Sequence, residues 1–272
     1  MSPKRRGRDR TVQLLLSGIA ALGAALAAGP VAGQGDLAAV DACMERNLPG
    51  GASVQTVALT TVDRTGSSRR IEARHFWKRM DDGRSRNLLE VESPPEVRGS
   101  AYLLIERDGG EEVFSYLPEL KKVRRLQSRM MSGSLFGTDF SYEDFRHLQS
   151  VSSDAGRTRL PDAELEGRPS FVLEVRPDAA SGSEYERVVA HVDQETCVPL
   201  KLEFHARGGG LRKVFTADPA SLAREGKGWL ARSVSIRDLA NETETRLEIL
   251  EIEVDGDVPD RLFTVGHLER RR

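Results

Sequence analysis

Short β-favouring runs recur along most of this chain at roughly even spacing, and the gaps between neighbours are mostly too short to hold a crossover helix. The first set is Val54 to Val62, Arg70 to Met80, Arg86 to Glu92, Ser100 to Glu106, Val113 to Leu117 and Leu120 to Leu126. The second is Glu164 to Glu166, Ser170 to Arg176, Tyr185 to Asp193, Pro199 to Ala206, Leu211 to Thr216, Trp229 to Asp238 and Thr243 to Val254. Turn chemistry separates them, as at Asp63-Arg64-Thr65-Gly66, Asp81-Asp82-Gly83 and Gly208-Gly209-Gly210. The expectation is a mostly β chain, an antiparallel meander. Alternation is cleanest after Pro199, where Leu200, Leu202 and Phe204 oppose Lys201, Glu203 and His205, and it is less clean from Leu247 to Ile252. A sheet with one apolar face must cover that face or curl around it.

Ahead of this pattern, Lys4, Arg5, Arg6, Arg8 and Arg10 precede an apolar run from Val12 to Ala28, and Val31-Ala32-Gly33 supplies small residues for cleavage. Residues 1–33 thus read as a secretory signal peptide. The run is interrupted by Gly18 and Gly23 and stops at Pro30, short of the roughly 20 strongly apolar residues of a membrane span. The whole chain has 40 Lys and Arg against 42 Asp and Glu; without five of those bases and one acid the balance is 35 to 41, a net charge near −6. Such a charge argues against nucleic acid or an anionic membrane surface as a main partner. Residues 34–272 contain no long Pro, Ser or Gly linker and no internal repeat, and read as one unit.

From Asp36 to Asn47, Leu37, Val40 and Met44 share one helical face that Leu48 continues; Asp36 suits an N-cap and Pro49-Gly50-Gly51 a stop. This helix must pack on the sheet to bury its stripe. In an oxidising compartment, two and only two cysteines, Cys43 and Cys197, favour one disulfide between the helix and the second half of the sheet, with two separately buried thiols as the alternative.

The stretch Val113 to Leu148 is the most distinctive. Two short strands meet at Pro118-Glu119, a Ser/Met/Gly-rich loop follows, and Ser141-x-x-Asp144 has the form of a capping box with Asp in place of Glu. Tyr142, Phe145 and Leu148 then recur at helical spacing. Lys121, Lys122, Arg124, Arg125 and Arg129 precede Asp139, Glu143 and Asp144. Pairing of Arg124 or Arg125 with Asp139 or Asp144 would pin loop and helix to the hairpin; a solvated strand face accounts for the same basic run.

Tyr116-Leu117-Pro118, Lys122-Val123-Arg124-Arg125 and Gly137-Thr138-Asp139-Phe140-Ser141-Tyr142-Glu143-Asp144 together resemble the signature of the periplasmic outer-membrane lipoprotein-sorting proteins of the LolA-like family. Leu135 stands where many relatives carry an aromatic residue or Met. The resemblance implies a LolA/LolB-like fold: a strongly curved antiparallel sheet, an incomplete β-barrel, with an N-terminal helix and a short lid helix. It implies an apolar cavity for a lipid or for lipoprotein acyl chains, and Trp77, Phe114, Tyr116, Met130, Met131, Phe136 and Phe140 are the residues expected to line it. Arg124, Arg125, Gly137, Asp139, Ser141, Tyr142 and Asp144 are the expected structural motif. It implies a monomer that uses no cofactor or metal and works with an inner-membrane transporter of the RND type. A filled core is the alternative for the aromatic residues, because Phe76, Phe171, Phe204, Phe215 and Trp229 are what cores are made of.

Catalytic signals are sparse. His75, His147, His191, His205 and His267 are dispersed without metal-ligand spacing, and neither a Gly-x-Ser-x-Gly elbow nor a phosphate-binding loop occurs. The expectation is a binding protein and not an enzyme. An envelope-stress sensor domain of the same fold and a hydrolase with an unrecognised site are the competing readings.

Overall fold

The computed structural model describes residues 34–108, 110–127, 130–149, 156–178 and 181–270. The expected signal peptide, residues 1–33, and Arg129 lie outside them. Helix α1 (Gln34–Glu45) leads into β1 (Ala52–Val62), β2 (Ser68–Arg79), β3 (Ser85–Ser93), β4 (Ala101–Arg107), β5 (Gly110–Leu117) and β6 (Lys122–Arg125). After a long loop come α2 (Tyr142–Gln149), β7 (Arg157–Leu165), β8 (Arg168–Val175), β9 (Tyr185–Asp193), β10 (Pro199–Ala206) and β11 (Leu211–Ala217). A hairpin of β12 (Leu222–Glu225) and β13 (Gly228–Ala231) precedes β14 (Ser233–Asp238), β15 (Thr243–Val254) and a terminal helix α3 (Val265–Glu269).

Thirteen strands form one antiparallel sheet in the order β6-β5-β4-β3-β2-β1-β15-β14-β11-β10-β9-β8-β7. The first and last of these do not pair, so the sheet stays open. The central seam is β1 on β15, with Leu59 opposite Leu247. One cluster on the inner face unites Leu59, Ile71, Leu89 and Leu104 from the first half with Leu202, Phe204, Phe215 and Ile236 from the second. Strands that far apart in the order share one core because the sheet curls and a loop segment fills the concavity.

The outer face has its own cluster. Phe76, Leu88, Leu103 and Tyr116 pack under Val258, Phe263 and Leu268, which come from the C-terminal segment and α3. The sheet is therefore apolar on both faces in its first half, against the single apolar face that the alternation implied. Helix α1 buries its predicted stripe: Val40 and Met44, with Leu37 beside them, pack on Leu173 and Val192. Leu48 follows the helix end at Glu45 and is exposed, so it does not continue that stripe. The helix begins at Gln34, which puts Asp36 inside its first turn and not at the cap.

The irregular alternation of β15 has a structural cause. A bulge puts Ile249 opposite Val57 and Glu251 opposite Thr56, leaving Leu250 as the extra residue. An extra residue reverses the side-chain parity. As a result Leu247 and Ile249 on one side of the bulge, and Ile252 and Val254 on the other, all face inward. Three further elements differ from expectation. Strand β7 begins at Arg157 despite Pro161, as a terminal strand with an irregular register between Leu160 and Ala163 allows. The run Trp229 to Asp238 breaks at Arg232 into β13 and β14. Strand β12 and helix α3 carried no clear sequence signal.

Cys43 and Cys197 form a disulfide with a Cα–Cα distance of 5.5 Å across a sequence separation of 154. Arg157 adds a two-pronged ion pair to Asp41, so α1 is fixed to the sheet beside β7 and β9. Closing so long a loop stabilises the fold by about 3 to 5 kcal/mol through the unfolded chain. Replacing both cysteines by serine is expected to lower the melting temperature by roughly 8–15 °C, measured by circular dichroism, and added reductant is expected to leave that variant unaffected.

Candidate functional site

The loop after β6 is the plug of the concavity. Leu126 bonds back to Val113 through its backbone, Leu135 N–H donates to the Phe140 carbonyl at 2.8 Å, and the Ser134 hydroxyl donates to the Thr138 carbonyl at 2.6 Å. A buried loop has to satisfy its own polar groups in this way. What it then presents to the sheet is apolar: Leu135 and Phe140 are fully buried, with Phe136 and Tyr142 nearly so. Phe136 and Gly137 take φ of 55° and 79°. The positive φ at Gly137 favours glycine, and a Cβ there would also displace the Arg69 guanidinium, 2.6 Å away, which donates to the Phe136 carbonyl.

The capping box forms as the sequence suggests. Asp144 N–H donates to Ser141 Oγ at 3.0 Å, and Ser141 N–H donates to Asp144 Oδ2 at 2.8 Å. The cationic partner is not the one expected. Lys213, on β11, donates to Asp144 Oδ2 at 2.8 Å and to the Asp139 carbonyl at 3.0 Å. Tyr185 donates to Asp144 Oδ1 at 2.7 Å, and burial, with the adjoining carboxylates, pushes its phenol far above the ordinary range. Asp139 accepts hydroxyl bonds from Thr243 and Thr245 of β15. Arg124 and Arg125 are exposed on β6, and Arg125 pairs with Glu112 at 3.1 Å. The arginine–aspartate pairing is thus replaced by an Asp144–Lys213–Tyr185 cluster that clamps the plug from the far half of the sheet. Lys213 shares its inward position with Phe215 two residues on, which is the signal that sequence reading missed.

The plug fills the centre of the concavity but not the end beneath α1. There a cleft of about 580 Å³ remains, within the usual range for ligand sites. The floor comes from β1, β2 and β3, with Ser53, Gln55, His75, Trp77 and Asn87. Ile252 and Val254, turned inward by the bulge, form one wall, and Trp229 and Leu230 of the β12–β13 hairpin form another. The chain's two tryptophans both line this cleft. Charged groups, among them Arg46, Lys227 and Asp255, border it.

The hairpin wall is seated by Asn47. Its Oδ1 accepts from Trp229 N–H at 2.8 Å, and its Nδ2 donates to the Thr196 carbonyl at 2.8 Å beside the disulfide. A Cβ at Gly228 would meet the Asn47 carbonyl oxygen at 2.6 Å, so this close approach requires glycine. In the floor, the His75 ring stands edge-on to Phe145 of α2 with centroids 5.7 Å apart. Burial lowers its pKa from 6.5 to about 4, so the ring is neutral near pH 7.

Of the residues expected to bind ligand, Trp77 alone lines this cleft. Met131, Phe136 and Phe140 belong to the plug side of the inner core, and Met130 is exposed. Phe114 and Tyr116 are on the outer face under α3 and its approach, because period-two alternation separates them from inward-facing Val113 and Ser115. Gln55, His75, Asn87, Ile252 and Val254 escaped the sequence reading. Among the described residues no cluster of His, Cys, Asp or Glu could hold a metal, and no helix is long and apolar enough to cross a membrane.

Two outcomes test this geometry. Asp144→Asn is expected to destabilise the fold by about 3 kcal/mol, because it leaves Lys213 buried without its counter-charge. A double-mutant cycle with Lys213→Met should return a coupling above roughly 1 kcal/mol in urea denaturation. For His75, the unfolded chain takes up its proton near pH 6.5 and the folded one only near pH 4. This ring therefore erodes stability progressively as pH falls between those values. His75→Gln should lose less stability than the parent between pH 7 and pH 4.5, as read by the urea midpoint.

No curated protein sequence matches the chain. An outer membrane lipoprotein-sorting protein domain from Vibrio parahaemolyticus superposes with a TM-score of 0.75 at 26% identity, covering 86% of this chain and 98% of that one. A DUF1329 family protein from Desulfovibrio piger superposes at 0.77 with 19% identity, over 85% and 98% of the two chains. A LolA superfamily protein from Nitrosomonas europaea gives 0.66 and 19%, over 84% and 98%. A family model whose description reads "Uncharacterized protein" matches residues 83–270. The chain therefore belongs to the family of that model, and its fold is LolA-like.

Proposed function

We propose that this protein is a periplasmic carrier that holds a lipid, or the acyl chain of a lipoprotein, in the cleft beneath α1 for transfer toward the outer membrane. The observation that carries the reading is the cleft of about 580 Å³ left open by the plug, with Trp77, Trp229, Leu230, Ile252 and Val254 turned into it. The lipoprotein-sorting description of the Vibrio structure supports the same class of cargo. Each methylene moved from water into such a site contributes about 0.8 kcal/mol, which is enough to hold a chain and not so much that release is blocked. The protein works in this reading by binding alone, as a monomer, without cofactor. An inner-membrane transporter of the RND type is the partner that would load it.

The seating of the walls suggests how cargo enters. The hairpin β12–β13 forms its own two-stranded sheet outside the main one. Its link to the turn after α1 through Asn47 can part without unpairing any strand of the main sheet. The wall formed by Ile252 and Val254 belongs to the central strand pair of the main sheet, and so is the more fixed of the two.

Both tryptophans face the site, so intrinsic fluorescence reads it directly. Titration with a brominated acyl lipid is expected to quench the emission saturably. Ser53→Phe, which places a ring over the floor, is expected to weaken that quenching at least tenfold with the melting temperature kept. Linear, non-saturating quenching would remove the carrier reading.

A further inference from the structure

The floor of the cleft is not lined like a plain hydrocarbon slot. The ladders on either side of β1 set its inward residues out in two rows. Trp77, Ser53 and Val254 stand opposite one another across β2, β1 and β15, and so do His75, Gln55 and Ile252. Each row has a ring on β2, an aliphatic side chain on β15 and a polar side chain between them. Ser53 and Gln55 are two residues apart on one strand, so both face inward, about 7 Å apart, and both line the cleft.

The fold itself does not use these two side chains. Among the described residues neither the Gln55 amide nor the Ser53 hydroxyl has a hydrogen-bond partner, and neither is sealed away from the cleft. Gln55 is half-buried. Asn87, the third polar side chain of the floor, is already bonded to the His75 imidazole. An unbonded amide bordered by apolar side chains costs stability, and a group that pairs with it there is bound in preference to one that does not.

The strip along β1 is also uncharged. Arg46, Lys227 and Asp255 border the cleft from the segments that follow α1, β12 and β15, and the imidazole on the floor is neutral near pH 7. A carboxylate or an ammonium laid on the floor would have no counter-charge there. Gln55 Nε2 and the Ser53 hydroxyl both donate, so the matching group has to accept while staying neutral. On an acylated molecule that group is the carbonyl of the linkage.

We infer that the cleft takes the acyl linkage of its cargo, an uncharged ester or amide, with the linkage carbonyl accepting from Gln55 and Ser53 and the hydrocarbon lying against Trp77 on one side and Ile252 and Val254 on the other. The inference rests on the carrier reading and deepens it by placing the cargo's linkage, and not only its chain, inside the protein. An amide linkage gains a second bond, because its N–H donates to Gln55 Oε1.

The test is displacement of the brominated acyl lipid from the purified protein by four chain-matched probes: methyl dodecanoate, N-methyldodecanamide, dodecyl methyl ether and dodecanoate. The ether keeps the chain and lacks the carbonyl. The ester, the amide or both are expected to bind roughly five- to tenfold more tightly than the ether, and the carboxylate no more tightly than the ether. The amide ahead of the ester marks an amide-linked chain as the preferred cargo, and the reverse order marks an ester-linked one. In Gln55→Leu, which removes a side chain with no bond in the fold, the preference for carbonyl over ether is expected to fall within about twofold. Equal affinity of ester, amide and ether for the unaltered protein overturns the inference and leaves the carrier reading standing, whatever the folding of the variant. Tightest binding by dodecanoate overturns it too, since that result puts the polar group at the charged rim. So does a preference unchanged in a folded Gln55→Leu. Failure of all four probes, with no saturable quenching by the brominated lipid, removes both.

Discussion

An antiparallel sheet that curls without closing has an apolar hollow to fill, and here the chain fills it with a loop instead of with further strands. That choice governs the rest. A loop inside a core must satisfy its backbone locally, which it does through Leu135–Phe140, Ser134–Thr138 and the Ser141–Asp144 box. It must also be held in place, which falls to the buried Asp144–Lys213 pair and the Tyr185 hydroxyl. A loop has a fixed volume, and this one occupies the centre of the concavity while the end beneath α1 stays open.

The open end is shaped by features that look unrelated along the chain. The bulge in β15 turns Ile252 and Val254 inward, the glycine at 228 lets the hairpin approach Asn47, and the disulfide ties down α1, whose last residue and following turn border the opening. Together they set its walls, and the inner core of the sheet continues directly into its floor through His75 and Phe145.

Much of this architecture was legible in the residues. Most of the strand runs, the Leu37, Val40 and Met44 stripe of α1, the capping box and the cysteine pair follow from local chemistry and are found where that chemistry puts them. The resemblance carried by the motif around Gly137 to Asp144 pointed to the LolA-like fold. The failures have a common form. Lys213 is 69 positions from Asp144, so no local pattern could prefer it over the nearer arginines. Phe114 and Tyr116 are core residues, but periodicity alone does not say which face of a sheet is inside when both faces are apolar. The lining of the cleft depends on a register shift, and only strand pairing reveals it.

The basic run on β6 takes on a meaning once it is placed. Lys122, Arg124 and Arg125 lie along one free margin of the sheet, and Pro161 and Asp162 interrupt the other at β7. Unpaired backbone at a margin invites another polypeptide to add itself there, and charge or proline deters it. The residues that first suggested an internal clasp thus set like charges along the margin where a further strand would have to add.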